Sequence, residues 1–179
     1  MTEHTRAAEC RHSDGVPAPP LWLAEPTLAL AQCILESHQR AFGTPLLAGV
    51  RADASPLQRA QSLFAGPLMV LAHDGQDPGG DPGPRLTYAN RAALRLWRRR
   101  WREMVGLPSR LTAPVAERTA RRQALLQARA DEAISGYSGI RIDSEGRRFR
   151  IRNARIWILP DEQGRPSGQA ACFSTWWWL

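Results

Sequence analysis

At 179 residues the chain is long enough to bury one sizeable core unaided, and its three cysteines, Cys10, Cys33 and Cys172, are too few and too scattered for a disulfide framework or a zinc site. The net charge of +7 is unevenly placed: residues 91–155 hold 17 arginines against 6 acidic residues, and no lysine occurs anywhere. Coding bias and a solvated arginine face explain this ahead of a footprint for nucleic acid or an acidic partner, because base-reading motifs are missing. Neither a signal peptide nor an apolar run of membrane-spanning length is present, so a cytoplasmic protein with no membrane partner is expected.

In chain order, residues 1–25 read as a disordered tail, with Pro17, Pro19 and Pro20 near its end. Residues 26–66 read as a helical extension. Leu28, Ala31, Leu35, His38 and Phe42 recur at helical spacing from Pro26, and Gly43 stands where a C-terminal cap is expected. An exposed stripe of this kind is a liability on a monomer. The helix is therefore expected to pack on the outer face of its own sheet or against a second copy, with a homodimer favoured. Ser55-Pro56-Leu57-Gln58 forms a capping box that opens a short helix closing before Gly66.

Residues 67–179 read as the main domain. The continuous apolar run Leu68 to Ala72 predicts an interior strand, Asp74 to Pro84 a hairpin loop, and Arg85 to Ala89 a second strand. Asn90 sits where periodicity changes from two to 3.6, the place of a helix N-cap. The spacing then predicts one helix with Ala93, Leu96, Trp97, Trp101 and Met104 on the sheet side and Arg91, Arg95, Arg98, Arg99 and Arg102 opposite, ended by Gly106-Leu107-Pro108. Another helix is predicted from about Thr112 or Ala113 to about Ala133, with Val115, Thr119, Leu125, Leu126 and Ala133 inward.

Three strands close the chain. Ile140 and Ile142 alternate with Arg141 and Asp143, which predicts the isoleucines inward. Phe149 and Ile151 alternate with Arg148, Arg150 and Arg152, and after Asn153 the parity shifts, the sign of a bulge. Gly168 to Trp178 is apolar on both faces, as a central strand should be. The fold class expected is α+β: a five-stranded antiparallel sheet with helices on one face and a leading N-terminal helix.

This element order, with Asn90 at the junction of second strand and first helix, resembles the PAS fold. Tyr88-Ala89-Asn90-Arg91-Ala92-Ala93-Leu94 with Leu96-Trp97, then Leu107 to Ala113, then Tyr137 to Ile142 with Gly146-Arg147-Arg148-Phe149, and finally Gly168-Gln169-Ala170-Ala171 with Phe173 and Trp176, is similar to the MEKHLA domain over roughly residues 26–179. The resemblance implies a PAS-like sensory or regulatory module of the stand-alone bacterial form. It brings no catalytic residues. The homeodomain and zipper of plant members are missing here, so their DNA binding does not carry over.

Cofactor marks are sparse. A light-sensing flavin domain of this shape carries a cysteine on a helix after the second strand, and no cysteine lies between Thr87 and Ala171. None of His4, His12, His38 and His73 falls in the helical segment where a haem ligand is usual, and His73 reads as a satisfied strand-end residue. No metal site and no nucleophile, base and orienter set is expected, so the chain is read as a non-enzyme with its cofactor left open. Candidate ligand-binding residues are Asn90, Trp97, Trp101, Phe149, Trp157 and Gln169, walling a space between helix and sheet for a small apolar or aromatic molecule. The runner-up is an arginine-rich nucleic-acid-associated protein.

Overall fold

The computed structural model describes residues 20–51 and 53–179; most of the expected tail, residues 1–19, lies outside them. The last part of that tail is anchored. Leu21–Leu23 form a 3-10 turn, and the Trp22 ring stacks on Phe64 with centroids 4.0 Å apart. Helix α1 (Glu25–Phe42) starts with proline in its first turn and ends at Gly43 in the left-handed conformation. Helix α2 (Pro56–Ala65) opens on the capping box: Ser55 Oγ accepts from the Gln58 N–H, and Gln58 Oε1 accepts from the Ser55 N–H.

Strands β1 (Met69–Asp74) and β2 (Leu86–Ala89) form a hairpin, followed by helices α3 (Arg91–Leu96), α4 (Trp101–Met104) and α5 (Arg118–Ala130). Strands β3 (Ala133–Ile142), β4 (Arg148–Pro160), β5 (Pro166–Phe173) and β6 (Thr175–Trp178) complete the chain. The antiparallel order is β2-β1-β5-β4-β3. β6 continues β5 along β4 in unbroken register, from Arg155 opposite Cys172 to Arg152 opposite Thr175, so the sheet has five strand positions. β1 and β5 are interior, as their apolar runs predict.

Both faces of this sheet are covered. The row Tyr88, Ala72, Ala170 and Trp157 faces α1 and α2, where Ala31, Ile34, Ala60 and Leu63 are buried against it. The next row, Ala89, Leu71, Ala171 and Ile156, faces α3 and α5. Thus the leading helix takes the face that the later helices leave open. It is fixed there by polar contacts as well: Trp157 Nε1 donates to Ser37 Oγ at 2.9 Å, and Arg155 lies over the Phe42 ring while donating to His38 Nε2 at 3.3 Å. The apolar stripe that suggested a homodimer is spent inside its own chain, which removes the support for that expectation.

Three expectations need correction. The single helix after Asn90 is two, because the β3–β4 turn captures its carbonyls: the Ser144 N–H donates to Trp97 O and Ser144 Oγ to Arg98 O, with Arg98 at φ 53°. The helix predicted from Thr112 begins only at Arg118, after 3-10 turns at Ser109–Thr112 and Val115–Glu117 punctuated by Pro114. Its inner stripe is Ala124, Leu125 and Ala128, whereas Val115, Thr119 and Leu126 are exposed. In β3 the parity is reversed: Gly139, Arg141 and Asp143 are buried, and Ile140 and Ile142 are only half-buried. The parity shift in β4 is present, with Asn153 at φ 54° and Ala154 and Ile156 buried beyond it.

The α1 layer is expected to hold the fold. Trp157→Ala should lower the unfolding free energy by about 3–5 kcal/mol through the cavity it leaves. Ser37→Ala should cost about 1–3 kcal/mol by leaving the buried indole N–H unpaired. Urea unfolding followed by circular dichroism measures both, and a Trp157→Ala loss under about 1 kcal/mol would refute this account of the layer.

Candidate functional site

The described side chains leave a small, partly open space between the sheet and α5. Small residues on the strands, Ala154 and Ala171, leave room that Leu71, Leu86, Leu125, Ile151, Ile156 and Phe173 surround, and about 50 Å³ remains free. That exceeds what a single water needs and is far below the size of pockets holding drug-sized ligands. The walls are mostly apolar, but Trp97, His73, Thr112, Tyr137, Gln169, Arg121 and Arg141 also line it.

Each polar group arrives by a definite route. Arg121 lies four residues before Leu125 and seven before Ala128, so it shares the inward stripe of α5. Arg141 comes from the reversed β3 and is 6% exposed; Nη1 donates to Ile140 O at 2.8 Å and Nη2 to Tyr137 Oη at 3.0 Å. Gln169, on β5, donates from Nε2 to Leu125 O at 2.9 Å and so ties the helix to the sheet. His73 Nδ1 is 2.6 Å from Asp74 O, which can only accept, so Nδ1 carries the proton and Nε2 presents a lone pair.

Several of these groups have no partner. Trp97 Nε1 and His73 Nε2 are buried without hydrogen bonds. Arg121 makes no hydrogen bond or ion pair among the described residues, and burial, together with the charge of Arg141, pushes its pKa down to about 9. Burial pushes His73 down to about 4, so its ring is neutral near pH 7. Asp143, also turned inward, is the opposite case. Burial works to raise its pKa, but the Arg147 N–H, the Arg147 guanidinium and the Glu145 N–H outweigh this and hold it below the usual carboxylate range.

The MEKHLA domain family model matches residues 28–178. The chain belongs to the MEKHLA domain family. Solved structures place this MEKHLA domain in the PAS/LOV fold. It is similar to a PAS domain from Colwellia psychrerythraea, with TM-score 0.55 and 13% identity over 64% of this chain and 91% of that one. It is similar to a light-oxygen-voltage domain studied with a flavin analogue, with TM-score 0.51 and 14% identity over 71% of this chain and 86% of that one. An RNA-binding light-oxygen-voltage receptor matches with TM-score 0.57 and 17% identity over 72% of this chain but 35% of its own length. No curated protein matches the chain.

A flavin of the light-oxygen-voltage kind does not fit this MEKHLA domain. The free space is about 50 Å³, and Cys33 and Cys172 lie on α1 and β5, Cys172 within the core facing α1. No group of three His, Cys, Asp or Glu side chains suited to a metal ion occurs among the described residues. No helix among them is long and apolar enough to cross a membrane.

Of the six residues expected to bind ligand, the MEKHLA fold brings only Trp97 and Gln169 to the cavity. Phe149 stands behind Trp97, edge to face at 5.1 Å. Trp101 and Trp157 belong to the opposite sheet face: the helix break turns Trp101 onto Tyr88 and Phe64, and Trp157 packs under α1. Asn90 is a fully buried latch. Its Oδ1 accepts from the Ala93 and Val70 N–H groups, and its Nδ2 donates to Leu68 O at 2.6 Å. Missed on sequence grounds were Arg121, whose signal was a charge within the α5 stripe, and Arg141, hidden by the reversed parity. The same helix break divides the arginine row, with Arg98 paired to Glu145 and Arg91 donating to Ala65 O.

Two outcomes follow for this MEKHLA domain. Asn90→Ala should destabilise it by about 2–4 kcal/mol, since a cap and buried backbone partners are lost together. Unfolded His73 binds a proton near its ordinary pKa of 6.5 and folded His73 only near 4, so stability present above pH 6.5 is lost as pH falls towards 4. The loss is about 3 kcal/mol. His73→Gln should flatten this dependence, leaving the smaller same-sign effect of His38, which burial also depresses; an unchanged slope in urea titrations at pH 4.5 and 7 would rule it out.

Proposed function

We propose that this MEKHLA domain is a sensory or regulatory module that takes a small apolar or aromatic molecule into the space between α5 and the sheet and performs no chemistry on it. The observation that carries this reading is the cavity itself, with a buried tryptophan N–H and a neutral histidine lone pair left unpaired among apolar walls. Unpaired buried polar groups destabilise a fold, so their presence beside free space supports a ligand that completes them. Because the free space is small, a ligand larger than a few heavy atoms must displace α5, whose hold on the sheet includes the single Gln169 to Leu125 hydrogen bond. That coupling of occupancy to helix position is how a binding event reaches the surface.

Native mass spectrometry of the purified protein should show a retained small molecule, or small aromatic compounds should raise the melting temperature of the wild type. Ala171→Leu, which fills the cavity, should abolish the effect while keeping the circular dichroism spectrum. Neither a retained mass nor a shift with any small aromatic leaves a protein-interaction role in place of ligand sensing.

A further inference from the structure

We propose that the molecule taken into this cavity is an organic acid, its carboxylate held between the guanidinium groups of Arg121 and Arg141 and its apolar body lying against Ile151 and Phe173. This rests on the ligand-sensing reading above and adds the chemical class. Two guanidinium groups facing one small apolar space are an unusual use of charge. Exposed arginines abound on this chain, yet these two are turned inward from separate elements, α5 and β3. No carboxylate pairs with either among the described residues. Glu117 accepts from the Ile140 N–H instead, and Asp143 is taken by Arg147.

The like charges repel, and burial strengthens that repulsion, so the ligand-free protein holds an uncompensated pair. An anion removes the repulsion and gains charge-assisted hydrogen bonds. Arginine presents five N–H donors; Arg141 uses two of them and Arg121 none. A planar carboxylate matches this fork geometry, and one negative charge with an apolar tail suits walls of leucine, isoleucine and phenylalanine. Phosphate, more highly charged and strongly hydrated, does not suit such walls. Trp97 Nε1 supplies a further unpaired donor.

The test uses the full chain with benzoate and isobutyrate against their neutral isosteres benzamide and isobutyramide, with inorganic phosphate as a control. Affinity is read by NMR shifts of the Trp97 indole N–H, assigned through its loss in Trp97→Phe. At least one acid is expected to bind tenfold or more tightly than its amide, with no phosphate effect. Arg121→Gln should remove the acid preference and raise the melting temperature of the ligand-free protein, since Arg121 holds no other group. Arg141→Lys, which keeps charge but loses the fork, should weaken the acid without unfolding the strand. Equal binding of acid and amide overturns the carboxylate assignment and leaves the cavity reading intact. An acid preference surviving Arg121→Gln, a destabilised Arg121→Gln protein, or a phosphate effect matching that of the acids also overturns it. Absence of binding by all four compounds removes this proposal, and the ligand-sensing reading then stands or falls on the retained-mass experiment.

Discussion

The constraint on which the structure depends is the burial of β5 on all four sides. Hydrogen-bonded to β1 along one edge and to β4 along the other, it is also covered above and below by helices. A strand so placed needs small apolar side chains, and Ala170, Ala171 and Cys172 supply them. Because those side chains are small, partners on both faces must reach in with large ones. Trp157 and Ile34 do so on one side, and Leu125 and Ile156 on the other. The arrangement makes α1 integral: without it, the Trp157 face would be an exposed apolar surface.

Filling differs between the two faces. The α1 side closes tightly, with edge-to-face contacts linking His38, Phe42 and Trp157 and hydrogen bonds satisfying Ser37 and His38. The α5 side stays incomplete, with free space and unpaired polar groups, the Trp97 N–H and the His73 lone pair, in one place. Core packing normally removes such combinations, because voids and unpaired polar groups each destabilise. The α1 face is not free of such groups, since Tyr88 Oη is buried there without a partner, but Tyr88 does not line the free space. The polypeptide also reinforces the quiet side with the Asn90 latch, which joins α2, β1 and α3 through one side chain.

Local patterns were legible wherever a residue's environment is set by its immediate neighbours. Ser55 and Gln58 cap α2 because their bonds close within four residues. Gly43 ends α1 because glycine accepts φ 68° without strain. The bulge at Asn153 was visible as a slip in alternation. Patterns that depend on a distant partner misled. Ile140 and Ile142 alternate correctly, but alternation says only that a strand has two faces; which face lies inward is decided by what covers it, and here α5 packs over the side carrying Arg141, which lies beside Phe149 of β4. Trp97 and Trp101 share helical spacing, yet the turn at Ser144, 43 residues beyond Trp101 in sequence, breaks the helix between them.

What the sequence by itself determined is therefore the order and type of the strands, the caps, the leading helix and the family, since these reside in short-range periodicity and motif spacing. Only the tertiary structure decided which sheet face each helix covers, that Trp101 and Trp157 stand apart from Trp97, and that Arg121 and Arg141 meet. The reason is physical: a guanidinium reads as a solvent-facing group in any local pattern, and its burial emerges only when α5 and β3, joined by a reversed strand parity, enclose the same space.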